Sequence, residues 1–355
     1  MESKDVLFGS TGSRAEILYK ELGEKNKEIA IQQRWEWGQC IVAVGEDIPI
    51  YFVVLEKGEC VAGLMSFLLQ KETGNLLISN PQAGSYGGII FSSNNTDEHA
   101  FALIIKKFVD YAKAEDCAFA TITTAPFERN LELYREFFQP DFEQPNFFQY
   151  IDISELQKSP HVPLRYRSKN LRKRIRRAIR SDVKIDFEGT EQDLADWYQV
   201  HKSRMVELGV KALPMTLFES INRILVPRQL AFYTYARLNN IIIGGALFIG
   251  NGPLFDVYMA SSDSEYRELN ANSLVVHESL LRVEQMGAKI LNWQSSDSKN
   301  SSIYQFKSTW GSIENDHYYL TKITGNYSNI AKLTRTELAT DYQGHYVAPY
   351  SFLES

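Results

Sequence analysis

An α/β fold with a mixed sheet, repeated as two tandem units, is what the sequence predicts from three observations. Short β-type runs separated by turn residues occupy each half; each set leads into one long amphipathic helix and a further strand; and this order occurs twice, over about 60 residues each time. With 355 residues, 44% apolar and 23% charged, the chain is long enough for two cores of ordinary domain size, and disorder, collagen and a disulfide scaffold are excluded.

In the first half the expected strands are CIVAV at 40–44, IYFVVLE at 50–56, CVAGLMSFLL at 60–69 and NLLIS at 75–79, divided by turns such as Glu46-Asp47 and Lys57-Gly58. They read as an antiparallel meander. A helix is expected over Thr96–Ala114 because Phe101, Ile104, Ile105, Phe108, Val109 and Ala112 share one face. FATIT at 119–123 follows as a strand, then a short helix from Asn130. The second half offers LAFYTYARL at 230–238, IIIGGALFIG at 241–250 and PLFDVYMAS at 253–261, a helix over Asn272–Met286 buried along Leu274, Val275 and Leu281, KILNW at 289–293 and HYYLTKI at 317–323.

The two copies align with Ser85-Tyr86-Gly87-Gly88 opposite Asp256-Val257-Tyr258 and FFQYIDI opposite HYYLTKI. A strand reached only after a helix implies a crossover, hence a mixed sheet with helices on its faces. Ser159-Pro160 and Pro163 read as a linker, which sets the boundary near residue 155: one domain over 1–155, and a second over 156–355 opened by a basic helix.

Charge is unevenly placed. The chain carries 38 Lys and Arg against 44 Asp and Glu, a formal charge of −6, yet nine basic residues and no acid fall between Arg165 and Arg180. The remaining 29 bases against 44 acids leave a body of −15. This excludes a generally basic nucleic-acid binder but not a locally docked phosphate. As a helix the island sets Leu171, Ile175, Ala178 and Ile179 on one side and Arg172, Lys173, Arg174, Arg176, Arg177 and Arg180 around the rest. Arg172, Arg176 and Arg177 are the candidate contacts to an anionic partner: tRNA, a lipid diphosphate, a nucleotide-sugar or anionic headgroups would each suit, as would docking on the acidic body itself.

The N-terminus MESKDVLFGS lacks the apolar run of a secretory signal, so a cytoplasmic protein is expected. Cys40, Cys60 and Cys117 are far apart, flanked by apolar β-type residues, and read as reduced core thiols. The six histidines show no metal spacing, and there is no G-x-S-x-G elbow, P-loop or Rossmann fingerprint.

The succession LRKRIRRAIRSDVKIDF, WYQVHKSRMVELGV, YMASSDSEYRELNANSLVVHESLLRVEQMGAKILNW and IYQFKSTWG resembles the FemAB-like branch of the GNAT acyltransferase superfamily, and the first half agrees through RWEWGQC and SYGGI. The resemblance implies two tandem GNAT-like domains and an N-acyltransferase that moves an acyl or aminoacyl group to an amine of a cell-envelope or polysaccharide precursor. It implies no tightly bound cofactor; the donor is left open between acyl-CoA, acyl-carrier protein and aminoacyl-tRNA. The acceptor is a small-molecule or lipid-linked amine, and residues 165–180 could make a peripheral membrane contact. Peptidoglycan enzymes of this branch that carry a long coiled-coil arm in the second domain differ from this chain, in which only residues 191–226 lie between that domain's first two strands.

Transfer to an amine requires a neutral nucleophile, donors for the developing oxyanion and a proton for the leaving group. In a GNAT-like sheet the strand over Phe255–Ala260 would offer its N–H groups to the donor carbonyl, with Tyr258 as proton donor or acceptor clamp and Asp256, on the same face by β alternation, as its acid–base partner. The next helix N-terminus would receive phosphate through Arg267, Asn270, Asn272 and Ser273; two glycines usual in coenzyme A binders are replaced there, and helix capping by the asparagines is the alternative. By the resemblance, Lys307 reaches the acceptor's phosphate or the reacting carbonyl, and Arg204 contacts the acceptor; a snorkelling lysine and an exposed helix arginine are the plain alternatives. Ser295 and Ser296, in a loop at a strand's C-terminal end, are candidate acceptor contacts, and no metal site is expected.

Overall fold

The computed structural model describes residues 4–45, 47–80, 85–93, 95–155, 168–296, 298–342, 345–349 and 352. In chain order the elements are β1 (Lys4–Gly9), α1 (Arg14–Lys25), α2 (Trp35–Val42), β2 (Ile48–Glu56), β3 (Glu59–Leu69), β4 (Asn75–Ile78), β5 (Ile90–Phe91), α3 (Glu98–Ala114), β6 (Cys117–Thr123), α4 (Leu131–Leu133) and β7 (Phe142–Asp152). They continue as α5 (Lys169–Arg180), β8 (Lys184–Asp186), α6 (Glu191–Glu207), α7 (Met215–Ile224), β9 (Ala231–Leu238), β10 (Ile241–Asn251), β11 (Leu254–Ser262), α8 (Ala271–Gln285), β12 (Ile290–Ser295), α9 (Ser302–Ser308), β13 (Ile313–Ile323) and α10 (Arg335–Asp341). Short 3-10 turns join several of them.

The chain divides into two compact units, residues 1–146 with 316–355, and residues 147–315. This differs from two consecutive domains meeting near 155, because each half of the chain gives its last strand to the other unit. In the first unit β1, β2, β3 and β4 pair antiparallel in sequence, β4 runs parallel to β6, and β6 is closed by Tyr319–Ile323 of β13. In the second, β8, β9, β10 and β11 pair antiparallel, β11 runs parallel to β12, and β12 is closed by β7 from Phe148 to Asp152. The linker expected at 159–163 lies outside the described residues.

The repeat is therefore real: β7 and β13 correspond as expected, but the anchor at Ser85–Gly88 is offset. β4 and β11 occupy the same place, each antiparallel to the strand before it and parallel to the strand after the long helix. Ser85–Gly88 belong to no strand. The expected strand at 40–44 is also replaced: Trp37, Cys40 and Ile41 are buried at helical spacing within α2.

The long helices form for the reasons their sequences suggest. In α3, Asp97 caps the N-terminus by accepting from the Ala100 N–H, and Phe101, Ile104, Ile105, Phe108 and Ala112 enter a core with Phe52, Val54 and Leu64. In α8, Leu274, Val275, Leu280 and Val283 are fully buried against Phe248, Phe255 and Val257, while Leu281 is only partly covered. Helix α6 approaches the opposite face so closely that a Cβ on Gly245 would stand 2.8 Å from the Trp197 ring. In α5, Leu171, Ile175 and Ala178 dock on the second core, but Ile179 is 56% exposed, so the apolar stripe is narrower than expected. Among the described residues no helix is long and apolar enough to cross a membrane.

Candidate active site

In the second unit two parallel strands part, and the notch between them is the candidate cleft. β11 and β12 share only three pairs, Leu254–Ile290, Phe255–Leu291 and Asp256–Asn292, although β11 runs on to Ser262 and β12 to Ser295. Each strand bends at the parting. On β11, Phe248 of β10 faces Val257 and Leu247 faces Met259, so Tyr258 is the extra residue of a β-bulge. On β12 the pairing with β7 shifts between Asn292 and Ser295, and Gln294 sits in the left-handed region at φ 58°.

The bulge alters the face logic of the sequence. Asp256 pairs with Ile249 and Ser261 with Gly245, on the side that α6 covers, while Val257 joins the opposite core with α8. Simple alternation breaks at Tyr258, so it does not place this buried residue beside Asp256. Asp256 is instead tied across the parting: Asn292 Nδ2 donates to Oδ1 at 2.9 Å and Gln294 Nε2 to Oδ2 at 3.2 Å. Asn292 Oδ1 in turn accepts from the Gln294 N–H at 2.9 Å, which holds the left-handed turn. Asn292 and Gln294 were not singled out in the sequence; the signal available was a polar residue in an otherwise apolar strand.

Lys307 extends the same network. It is 6% exposed, and its Nζ donates to the Gln294 carbonyl at 3.1 Å, the Ser295 carbonyl at 2.7 Å and Ser296 Oγ at 2.9 Å. Three acceptors for the three ammonium protons make it the post around which the loop after β12 is wound, neither a snorkelling surface lysine nor an open cation. Its helix α9 is fixed by the Ser301 cap on the Tyr304 N–H and by the packing of Trp293, Phe306 and Trp310, with ring centroids 5.8–6.1 Å apart. Asp297, in the same loop, lies outside the described residues.

Near the other lip, α8 begins without a side-chain cap. Asn270 adopts the left-handed conformation a glycine would supply, φ 60°, and its Nδ2 turns back to the Glu268 carbonyl at 2.8 Å. The expected capping by asparagine is therefore not made by Asn270. The first-turn N–H groups of a helix have no intrahelical partner, and here the Ser273 N–H folds onto the Asn270 carbonyl. Asn272 Oδ1 is buried without a hydrogen-bond partner, Ser273 is buried, and Arg267 is exposed on the turn leading in. Arg204, on α6, pairs with Glu207 at 2.6 Å; Glu207 also accepts from Ser264 at 2.7 Å, and these partners hold its carboxyl below the usual range.

One buried dyad escaped the sequence reading. His201 of α6 is fully buried, its Nδ1 3.0 Å from Ser261 Oγ, and its ring lies against Trp197 and Phe218. Burial pushes its pKa down to about 4, so the ring is neutral at neutral pH. On α5, Arg177 pairs with the exposed Glu268 at 3.0 Å, Arg172 is half-buried, and Lys173, Arg174, Arg176 and Arg180 face outward. Residues 165–167 of the basic island lie outside the described residues.

Residues 165–297 match the family described as acetyltransferase (GNAT) domain. No curated protein sequence matches the chain. Among solved structures, FemX is similar over 91% of this chain and 99% of its own, at a TM-score of 0.67 and 13% identity. L-PGS from Bacillus licheniformis is similar over 94% and 97%, at 0.57 and 12%. A tandem GNAT protein from the clavulanic acid biosynthesis pathway is similar over 91% and 99%, at 0.55 and 11%. The second unit thus matches a GNAT acetyltransferase domain over residues 165–297, and the chain shares its fold with FemX and with a tandem GNAT protein.

Proposed function

We propose that the chain is an N-acyltransferase that moves an acyl or aminoacyl group from an activated donor bound at the β11–β12 parting to an amine of a cell-envelope or polysaccharide precursor. The observation that carries this reading is the parting itself: a strand edge released at Asp256, a bulge at Tyr258 and an uncapped helix start at Asn270 lie along one chain path. Backbone N–H groups freed beyond Asp256 suit a carbonyl whose oxygen gains charge, and the start of α8 suits the donor's phosphate. The amine nitrogen bonds to the donor carbonyl carbon, the bond to the donor's sulfur or oxygen breaks, the leaving group takes a proton from a phenol, and the proton shed by the amine restores that phenol. Tyr258 is the phenol assigned to that proton. Asp256, both oxygens engaged, positions β12 against β11, and Lys307 positions the loop of Ser295 and Ser296 that meets the acceptor.

The choice of acceptor class rests on likeness: this chain shares the fold of FemX and of L-PGS. The experiment is mass spectrometry of products after incubation with acyl-CoA, acyl-carrier protein and aminoacyl-tRNA donors against amino-sugar, peptide and aminolipid acceptors. An acylated amine from any donor supports the reading; hydrolysis only, or no reaction across the panel, overturns it.

A second reading, transfer from aminoacyl-tRNA, is favoured by the outward basic face of α5 at Lys173, Arg174, Arg176 and Arg180. It requires activity that is lost on RNase treatment and falls steeply with salt. Activity indifferent to both, with a thioester donor, leaves that face to a lipid surface or to another anion.

A further inference from the structure

Outside the cleft, the second unit contains a cavity of about 390 Å³ where β9 is not covered by its neighbour. The short β8 pairs with β9 only at Tyr235, Ala236 and Arg237, so Ala231, Phe232 and Tyr233, paired with β10 on one edge, border the cavity on the other. Its walls include Phe187, Phe232, Tyr233, Tyr235 and Met286, with one charged side chain, Arg282 of α8, and no acidic one. The volume is within the range of small-molecule sites, roughly 300–1,000 Å³.

Arg282 is unusual for a residue so placed. Its guanidinium carbon lies 4.6 Å from the centroid of Phe187 and 5.0 Å from that of Phe232, its Nε is buried without a hydrogen-bond partner, and no ion pair reaches it among the described residues. Contacts with ring faces hold the plane of a guanidinium and leave its N–H fork, which lies in that plane, to another acceptor. A fork of this kind matches a carboxylate or phosphate in two parallel hydrogen bonds. The amide side chains of Asn222, Gln229 and Gln285 complete the lining.

From this we infer that the cavity is a second ligand site, taking a small organic anion whose carboxylate or phosphate meets Arg282 and whose flat apolar body rests on the aromatic walls. It is distinct from the transfer cleft: Arg282 stands eleven residues along α8 from Ala271, about 16 Å at helical rise. The site stands independently of the proposed reaction.

The test uses the full chain and fluorine NMR with 4-fluorobenzoate and 4-fluorophenyl phosphate, with neutral 4-fluorobenzamide as control. Saturable binding of at least one anion, ten-fold or more tighter than the amide, is expected, and the tighter head group identifies carboxylate or phosphate. Arg282→Met and Val226→Trp, which fills the cavity from another wall, are each expected to weaken it at least ten-fold. Circular dichroism and the thermal midpoint show whether each variant is folded; should Arg282→Met unfold the unit, Val226→Trp decides. No saturable binding of either anion, equal binding of the amide, or binding unchanged in a folded variant overturns the site.

Discussion

Asp256 and Asn292 are the last pair shared by β11 and β12, and Asn292 donates to Asp256 across the ladder at 2.9 Å. The bond fixes where the strands part. Asn292→Ala removes that donor from a buried carboxylate oxygen, and the expected loss is about 1–3 kcal/mol, read as a lower urea midpoint with unchanged slope. Asn292→Asp, which faces one carboxyl with another, is expected to lose more. A midpoint unchanged in both variants would show that the pair does not hold the strands.

Lys307 is expected to tolerate no substitute. Lys307→Met keeps the stem but removes three donors, and Lys307→Arg offers a planar fork where three acceptors surround a point. Turnover should fall in both by a factor of about 100 or more, the rate equivalent of roughly 3 kcal/mol. A Lys307→Arg enzyme with normal turnover would remove the lysine's loop geometry from the mechanism.

Tyr258→Phe removes one oxygen from a residue fixed by the bulge. With the phenol as proton donor, kcat is expected to fall about 100-fold or more with little change in KM. Loss of affinity at constant kcat would instead mark Tyr258 as a binding contact.

Stability should rise between about pH 4 and pH 6.5. His201, His317 and His345 are each pushed down to about 4, for each of which burial is the largest cause, from an ordinary value of 6.5. Between those limits the unfolded chain binds protons that the folded chain refuses, so acid favours unfolding. His201→Gln should flatten part of this slope in urea titrations; an identical slope in the variant would mean that His201 ionises in the folded state.

Arg174→Gln with Arg176→Gln tests the outward face of α5. Both are exposed while Leu171, Ile175 and Ala178 carry the packing, so the thermal midpoint should hold. If that face meets a nucleic-acid backbone, the slope of log affinity against log salt should shrink by about 1.5 to 2 for two lost contacts. An unchanged slope places the partner elsewhere.

What was legible in the sequence was what local periodicity controls. The i, i+3, i+4 spacing of α3 and the β-type runs of β2, β3, β9, β10 and β11 all appear close to where they were expected. CIVAV failed because β-type residues at a helix end mimic a strand, while Trp37, Cys40 and Ile41 obey the helical period. The bulge at Tyr258 and the left-handed Gln294 arise from pairing between strands, which one strand's sequence does not display. For the same reason the network from Asp256 through Gln294 to Lys307 joins positions 51 residues apart and leaves no short motif.

The exchange of β7 and β13 also governs the order in which the chain can fold as it is made. β6 leaves the ribosome with β7, but the strand that closes its edge ends at Ile323, about 170 residues later. At about 5–20 residues per second, the first sheet waits roughly 10 to 30 s with an open edge. Neither half of the coding sequence can therefore be expressed as a finished domain, and a cut near residue 155 yields two fragments that each lack the strand the other holds.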